Sequence, residues 1–189
     1  MQASLVARNL ACRRGERLLF AGLDLELSGG DACHVTGANG IGKSSLLRLL
    51  ARLLRPYEGQ VRSSGTVALL NDTSALDPFA PLGKSLDFWA KLDGGSDALD
   101  RVGLSDLADV PVRFLSTGQT KRAAFARMLA QGAAIWLLDE PLDGLDATAR
   151  EGMLAEIERH RNDGGLAVIA SHQPLGIEAQ VLALGDFAA

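Results

Sequence analysis

The sequence predicts an α/β domain with a mostly parallel central sheet and helices on its faces. Three observations carry that expectation. Strand-length apolar runs alternate with helix-length stretches through the second half of the chain, the pattern left by parallel strands joined by crossover helices. The run Ile135-Trp136-Leu137-Leu138 is apolar throughout, as a strand covered on both faces must be. The short run 32–36 passes through a glycine-rich loop straight into the leucine-rich run 46–50, so strand, loop and helix follow one another without a linker.

Taken in order, residues 5–28 read as strands. Leu23, Leu25 and Leu27 alternate with Asp24, Glu26 and Ser28, the period of a half-buried strand. The polar stretch 12–17 reads as the turn between two of them. Residues 32–36 form a buried strand. Beyond the glycine loop, Leu46, Leu47, Leu49, Leu50, Leu53 and Leu54 make a wide apolar stripe at helical spacing, closed by the breakers around Pro56 and Gly59. Residues 60–63 and 66–70 read as strands split by Ser64 and Gly65. Residues 71–74 are a polar loop. A helix over 82–92 is expected to bury Leu86, Phe88, Trp89 and Leu92. Residues 93–96 break it, and short helices follow over 97–102 and 104–108. Such small helices are either filler around the core or a subdomain that docks something. The next helix runs from 115–119 to about 130, with Ser116 as its N-cap. Phe125, Met128 and Leu129 suit its buried face, and Lys121, Arg122 and Arg127 its exposed face. Asp146 caps a helix from 147 to about 161, which Gly164 and Gly165 stop. Residues 166–170 and 181–184 are the last strands. The sequence holds no internal repeat and no low-complexity segment.

Composition narrows the function. The chain has 189 residues, 47% hydrophobic and 22% charged, which suits one compact domain. A net charge of −4 gives no electrostatic reason to expect nucleic acid as a partner. The two cysteines, Cys12 and Cys33, make neither a disulfide framework nor a metal site, and free thiols in a reducing compartment fit them better. Residues 1–4 carry no signal-peptide pattern. The richest apolar run, 46–54, is interrupted by Arg48 and Arg52, well short of the ~20 residues that span a bilayer. Membrane association is therefore expected through a partner protein.

The chemistry centres on Gly37, Ala38, Asn39, Gly40, Ile41, Gly42, Lys43, Ser44 and Ser45. Glycines let backbone N–H groups turn toward an anion without Cβ clashes, and the following helix adds its positive end. In this pattern Lys43 reaches the β- and γ-phosphates of a nucleotide, and Ser44 ligates Mg²⁺. Asp139 and Glu140 end the run 135–138, where carboxylates are costly unless used. Asp139 suits a second Mg²⁺-coordinating group. Glu140, on the opposite side if the pleat continues, suits a general base toward the γ-phosphate. His172 follows another strand at its carboxyl end, where ligands bind in open α/β sheets; a contact to the γ-phosphate or the attacking water is expected. Arg14 is either part of a solvated basic turn or a guanidinium lying over a purine.

These elements together resemble an ABC-type ATPase over essentially the whole chain. Residues 37–44 match its phosphate loop, 115–119 its signature loop, 136–141 its metal-and-base strand, 142–146 its dimer loop and His172 its switch histidine. The resemblance implies a P-loop NTPase fold over residues 1–189, with an antiparallel β subdomain and a helical subdomain near 73–130. It implies ATP and Mg²⁺ as ligands and head-to-tail pairing with a second ATPase domain, a homodimer being expected. Ser116, Thr117, Gly118 and Gln119 would then contact ATP held by the partner protomer, with Asp146 in the dimer loop. Residues 10–20, Ser44-Ser45-Leu46-Leu47-Arg48, Leu54-Arg55-Pro56 and Lys121-Arg122 after the signature are similar to the heme-exporter ATPases of cytochrome c maturation. That branch implies transmembrane permease subunits as partners, heme or a heme chaperone as the indirect cargo, and the cytoplasmic face of a bacterial inner membrane.

Three positions depart from the family's usual pattern. Thr117 stands at the middle signature glycine, Arg14 at the adenine-packing aromatic, and Thr73 near the usual glutamine after the strand 67–70. The alternatives are an ATPase of another small-substrate exporter and a soluble ABC-type ATPase without a permease. Relatives of the latter kind that act on chromosomes insert long coiled coils between the two loops, whereas Ser44 and Ser116 are 72 positions apart here. A binding module without hydrolysis is a further reading, opposed by the joint presence of Lys43, Asp139, Glu140 and His172.

Overall fold

The computed structural model describes residues 3–71, 73–95 and 98–188. Asp72 of the polar loop, and Ser96 and Asp97 of the expected break and short helix, lie outside these, as do Met1, Gln2 and Ala189. Two sheets form the frame. An antiparallel sheet has the order β2-β1-β4, from β1 (Ser4–Arg14), β2 (Arg17–Ser28) and β4 (Glu58–Ser64). A five-stranded sheet has the order β5-β6-β7-β3-β8, from β3 (Ala32–Thr36), β5 (Val67–Leu70), β6 (Ile135–Asp139), β7 (Leu166–Ala170) and β8 (Gln180–Ala183). All of its pairings are parallel. The expected fold class is observed.

The pleat of the central strands divides the core in two. Ile135, Leu137, Leu166, Val168 and Ala170 join a cluster with Cys33, Val35, the antiparallel sheet and α1 (Lys43–Leu50). Their neighbours Trp136, Leu138, Ala167 and Ile169 join a second cluster on the other face. That cluster takes in α2 (Leu82–Asp93), α3 (Thr117–Ala130) and α4 (Ala147–Asn162). Continuous apolarity in β6 and β7 is thus the mark of strands covered on both sides.

Local details correct the sequence expectation at four places. The leucine stripe at 46–54 does not stay helical to its end. Arg52 takes a left-handed φ of 58°, and the Arg52 N–H donates to Leu49 O at 3.0 Å while the Leu53 N–H donates to Arg48 O at 2.8 Å. This closure ends α1, leaving Leu53 70% exposed. In α2 the buried face is Leu82, Ser85, Leu86 and Ala90, while Phe88 and Leu92 point outward. Trp89 is only partly buried and lies beneath the Arg127 guanidinium, 3.8 Å from its ring centre. The three cations expected on the outside of α3 are half-buried and engaged: Lys121 and Arg122 reach loop carbonyls and Arg127 covers Trp89. The short helices after α2 are 3₁₀ turns, Asp100–Val102 and Ser105–Leu107, with a further one over Val112–Phe114.

Candidate functional site

The carboxyl ends of β3, β7 and β6 lie side by side, because β7 pairs with both neighbours. The residues that follow each strand therefore face one region. After β3 comes the glycine loop. Gly42 sits at the N-cap of α1 with φ 122°, a conformation side chains resist. A Cβ there would also come within 3.3 Å of Leu19. No side chain caps α1, so the first N–H groups of that helix remain for a ligand. Leu19, Asn39, Gly40, Gly42, Lys43, Ser44, Ser45, Asp139 and Glu140 line one cavity of about 300 Å³. A donor-rich loop, an ammonium and two carboxylates in one cleft suit a polyphosphate with a divalent ion. Ser44 and Asp139 bring the hard oxygen donors that Mg²⁺ prefers.

Lys43 is nearly buried. Its ammonium donates to the Gly37 carbonyl at 2.8 Å and stands 3.5 Å from Glu140 Oε1. The second carboxylate oxygen of Glu140 lies 3.1 Å from His172 Nδ1. Glu140 does not continue the pleat of β6. Its φ of 45° is left-handed, and the chain turns there. Asp139 and Glu140 consequently line the same cavity instead of pointing to opposite sides. The turn is held by the Glu140 N–H donating to Ala170 O at 2.9 Å and by Lys121 Nζ donating to Glu140 O at 2.8 Å.

A network extends from this point. Asp143 Oδ1 accepts from Gln173 Nε2 at 3.3 Å, and Gln173 Oε1 accepts from Arg150 Nη1 at 2.8 Å. Glu140, Asp143 and His172 bring one potential ligand atom each within 4.8 Å of one another. From sequence, Lys121 reads as an exposed cation following the signature, and neither Asp143 nor Gln173 has a site role of its own. The Lys121 contact to the Glu140 turn has no motif signal, because the acceptor is a backbone carbonyl 19 residues away.

The other expected site residues lie outside the cavity lining. Ser116 caps α3 in a full capping box: its Oγ accepts from Gln119 N at 3.3 Å, and its N–H donates to Gln119 Oε1 at 2.8 Å. Ser116 and Thr117 are exposed at this helix start. Asp146 caps α4 by accepting from Ala149 N at 2.8 Å. Arg14 is exposed at the end of the β1–β2 hairpin. Burial raises the pKa of Cys12, against the opposing pulls of the Arg14 charge and a Ser45 hydrogen bond. In that hairpin it is Arg13 that stacks on an aromatic ring, 5.5 Å from the centre of Tyr57.

The sequence profile of the ABC transporter family matches residues 20–143. The chain belongs to the ABC transporter family. A Novosphingobium aromaticivorans protein named cytochrome c biogenesis ATP-binding export protein CcmA is 52% identical over 187 residues, covering 98% of each chain. A Zymomonas mobilis protein of the same name is 48% identical over 192 residues, covering 99% of this chain and 87% of its own. Among solved structures, a metal-chelate type ABC transporter in an inward-facing conformation superposes with a TM-score of 0.81 at 25% identity. That match covers 98% of this chain and 81% of the other.

Proposed function

We infer that this chain is the ATP-hydrolysing subunit of a membrane ABC transporter serving c-type cytochrome biogenesis. The convergence of Lys43, Ser44, Asp139 and Glu140, from two separate parts of the chain, on one cavity carries the reading. The glycine loop and the N-terminus of α1 hold the phosphates. Ser44 and Asp139 would hold Mg²⁺, which when bound neutralises phosphate charge. Glu140 takes a proton from the attacking water as general base. His172, bonded to the Glu140 carboxylate, orients that base and lies toward the γ-phosphate. Arg14, beside the Arg13–Tyr57 stack, offers a guanidinium face to the adenine.

Each site is completed by a second copy. Ser116, Thr117, Gly118 and Gln119 stand exposed or half-exposed at the start of α3, where a capped helix N-terminus meets the γ-phosphate held by the partner. Asp146 belongs to the loop between the two copies. Residues 73–130 form the helical subdomain of a single domain spanning the chain. The permease subunits hold the chain at the cytoplasmic face of the bacterial inner membrane, and no helix among the described residues is long and apolar enough to cross it. The cargo served is heme or a heme chaperone.

The test is co-purification from membranes together with a gene deletion. Recovery of the chain with a multi-span permease, and loss of c-type cytochromes in the deletion strain, is the expected result. Normal c-type cytochromes in that strain reject the biogenesis role.

A further inference from the structure

Glu140 is a non-glycine residue in the left-handed region, with φ 45°. Side chains adopt this conformation only when their surroundings impose it. Here the imposing contacts are visible on both sides of the residue. The Glu140 N–H donates to Ala170 O at 2.9 Å. The Glu140 carbonyl accepts from Asp143 N at 3.3 Å and from Lys121 Nζ at 2.8 Å. The first two contacts come from the sheet and from the turn itself. Lys121 comes from α3, five residues after the N-cap Ser116. Its ammonium is half-buried and donates to a carbonyl, so it holds the backbone turn and not the carboxylate.

We propose that Lys121 is a positioning residue, which holds the left-handed turn at Glu140 so that the carboxylate faces Lys43 and the phosphate cavity. The proposal rests on the reading of Glu140 as general base. It gives α3 a direct mechanical route to the chemistry. The same rigid helix begins at Ser116 and carries Lys121 one turn further on. A second copy's nucleotide that docks on Ser116–Gln119 fixes the helix, and the helix fixes the turn at Glu140.

The test is steady-state ATP hydrolysis by the full chain carrying Lys121→Met, Lys121→Arg or Glu140→Gln, with ATP binding measured alongside. Lys121→Met is expected to lower kcat about 10- to 100-fold. KM and the ATP dissociation constant should stay within about twofold, since the phosphate cradle is untouched. Lys121→Arg, which keeps a cationic donor, is expected to recover most of kcat. A merely structural role would not lower kcat while leaving ATP affinity unchanged, nor be relieved by Lys121→Arg. A kcat for Lys121→Met within about twofold of the parent overturns the proposal, as does a loss that Lys121→Arg leaves unrelieved. Should Lys121→Met not fold, Lys121→Gln is read by the same criteria. Turnover retained in Glu140→Gln instead removes the general-base reading itself, so the two failures are distinct.

Discussion

The Lys43 ammonium is shared between the Gly37 carbonyl at 2.8 Å and the Glu140 carboxylate at 3.5 Å. Lys43 is almost fully buried and the Glu140 side chain is 22% exposed. A buried ammonium needs a counter-charge, and Glu140 supplies it. Any phosphate drawn to Lys43 therefore competes with Glu140 for the same cation. Under the proposed function this competition would couple binding to base activation: a γ-phosphate would take the ammonium, and the carboxylate would be released toward water.

Glu140→Gln tests both halves of the coupling. Turnover is expected to fall about 10²- to 10⁴-fold, the usual contribution of a general base. ATP binding should be retained or tightened, because the competitor for Lys43 loses its charge. Phosphate release and equilibrium titration with ATP measure the two effects. A variant hydrolysing at the parent rate would remove Glu140 from the role of base.

Lys43→Ala acts in the opposite direction. It deletes the charge that meets the phosphates and leaves the Glu140 carboxylate repelling them. ATP affinity is expected to weaken about 10- to 100-fold, in line with one charged hydrogen-bonding partner lost. Calorimetric titration reads this directly. Undiminished affinity would mean that the cavity at residues 37–45 is not the phosphate cradle.

The frame of this protein is legible in its sequence because burial on two faces leaves a plain signal. Ile135–Asp139 and Leu166–Ala170 have almost no polar residues to place, so their centrality can be read without structure. The glycine-loop cavity is legible for the same kind of reason, since glycines, Lys43 and Ser44 have fixed spacing within one loop. What periodicity does not carry is the identity of the covering neighbour. Phe88 and Leu92 lie on a helix with the right period, yet the face it buries is Leu82, Ser85, Leu86 and Ala90. Arg52 ends α1 in a conformation normally left to glycine or asparagine. Lys121 reads as a solvated cation, because a lysine in the sequence does not reveal a carbonyl acceptor in a distant turn. The turn at Glu140 is hidden likewise, since its φ is imposed by Ala170 and Lys121 rather than by its own side chain.

The C-terminal end of α4 gives a pH dependence. His160 stacks flat on Trp136, with ring centres 3.8 Å apart and planes 4° from parallel. Burial lowers its pKa below the ordinary 6.5, against smaller opposing pulls from the Leu166 and Ala134 backbone and from Asp163. The neutral ring is thus the folded form. Just below pH 6.5 the unfolded chain binds a proton that the folded chain refuses, so this contribution to stability is full above about 6.5 and is lost as pH falls toward the depressed folded value. The urea midpoint should decline between pH 7 and pH 5.5. In His160→Phe, which keeps an aromatic ring against Trp136, that decline should be smaller. Equal slopes in the two proteins would assign the effect to other groups.

Gly118 faces a constraint inside its own chain as well as at the proposed interface. A Cβ at this position would lie 3.0 Å from the Gly144 carbonyl oxygen, tighter than side-chain carbons ordinarily pack. Gly144 belongs to a turn with little freedom to give. On one side the Asp143 N–H donates to Glu140 O at 3.3 Å. On the other, Asp146 caps α4 through Ala149 N at 2.8 Å. Gly118→Ala must therefore push α3 away from the turn or push the turn toward Glu140. Overpacking of this kind costs about 1–3 kcal/mol, small enough for the fold to survive. Turnover should fall by about tenfold or more, because the displaced turn includes Glu140, the proposed general base. ATP affinity of the unpaired chain should hold within about twofold, since Lys43 and the glycine loop lie on other elements. Thermal unfolding, ATP titration and phosphate release on one preparation separate these outcomes. Parent-like turnover in Gly118→Ala would show that the close approach to Gly144 has no bearing on catalysis.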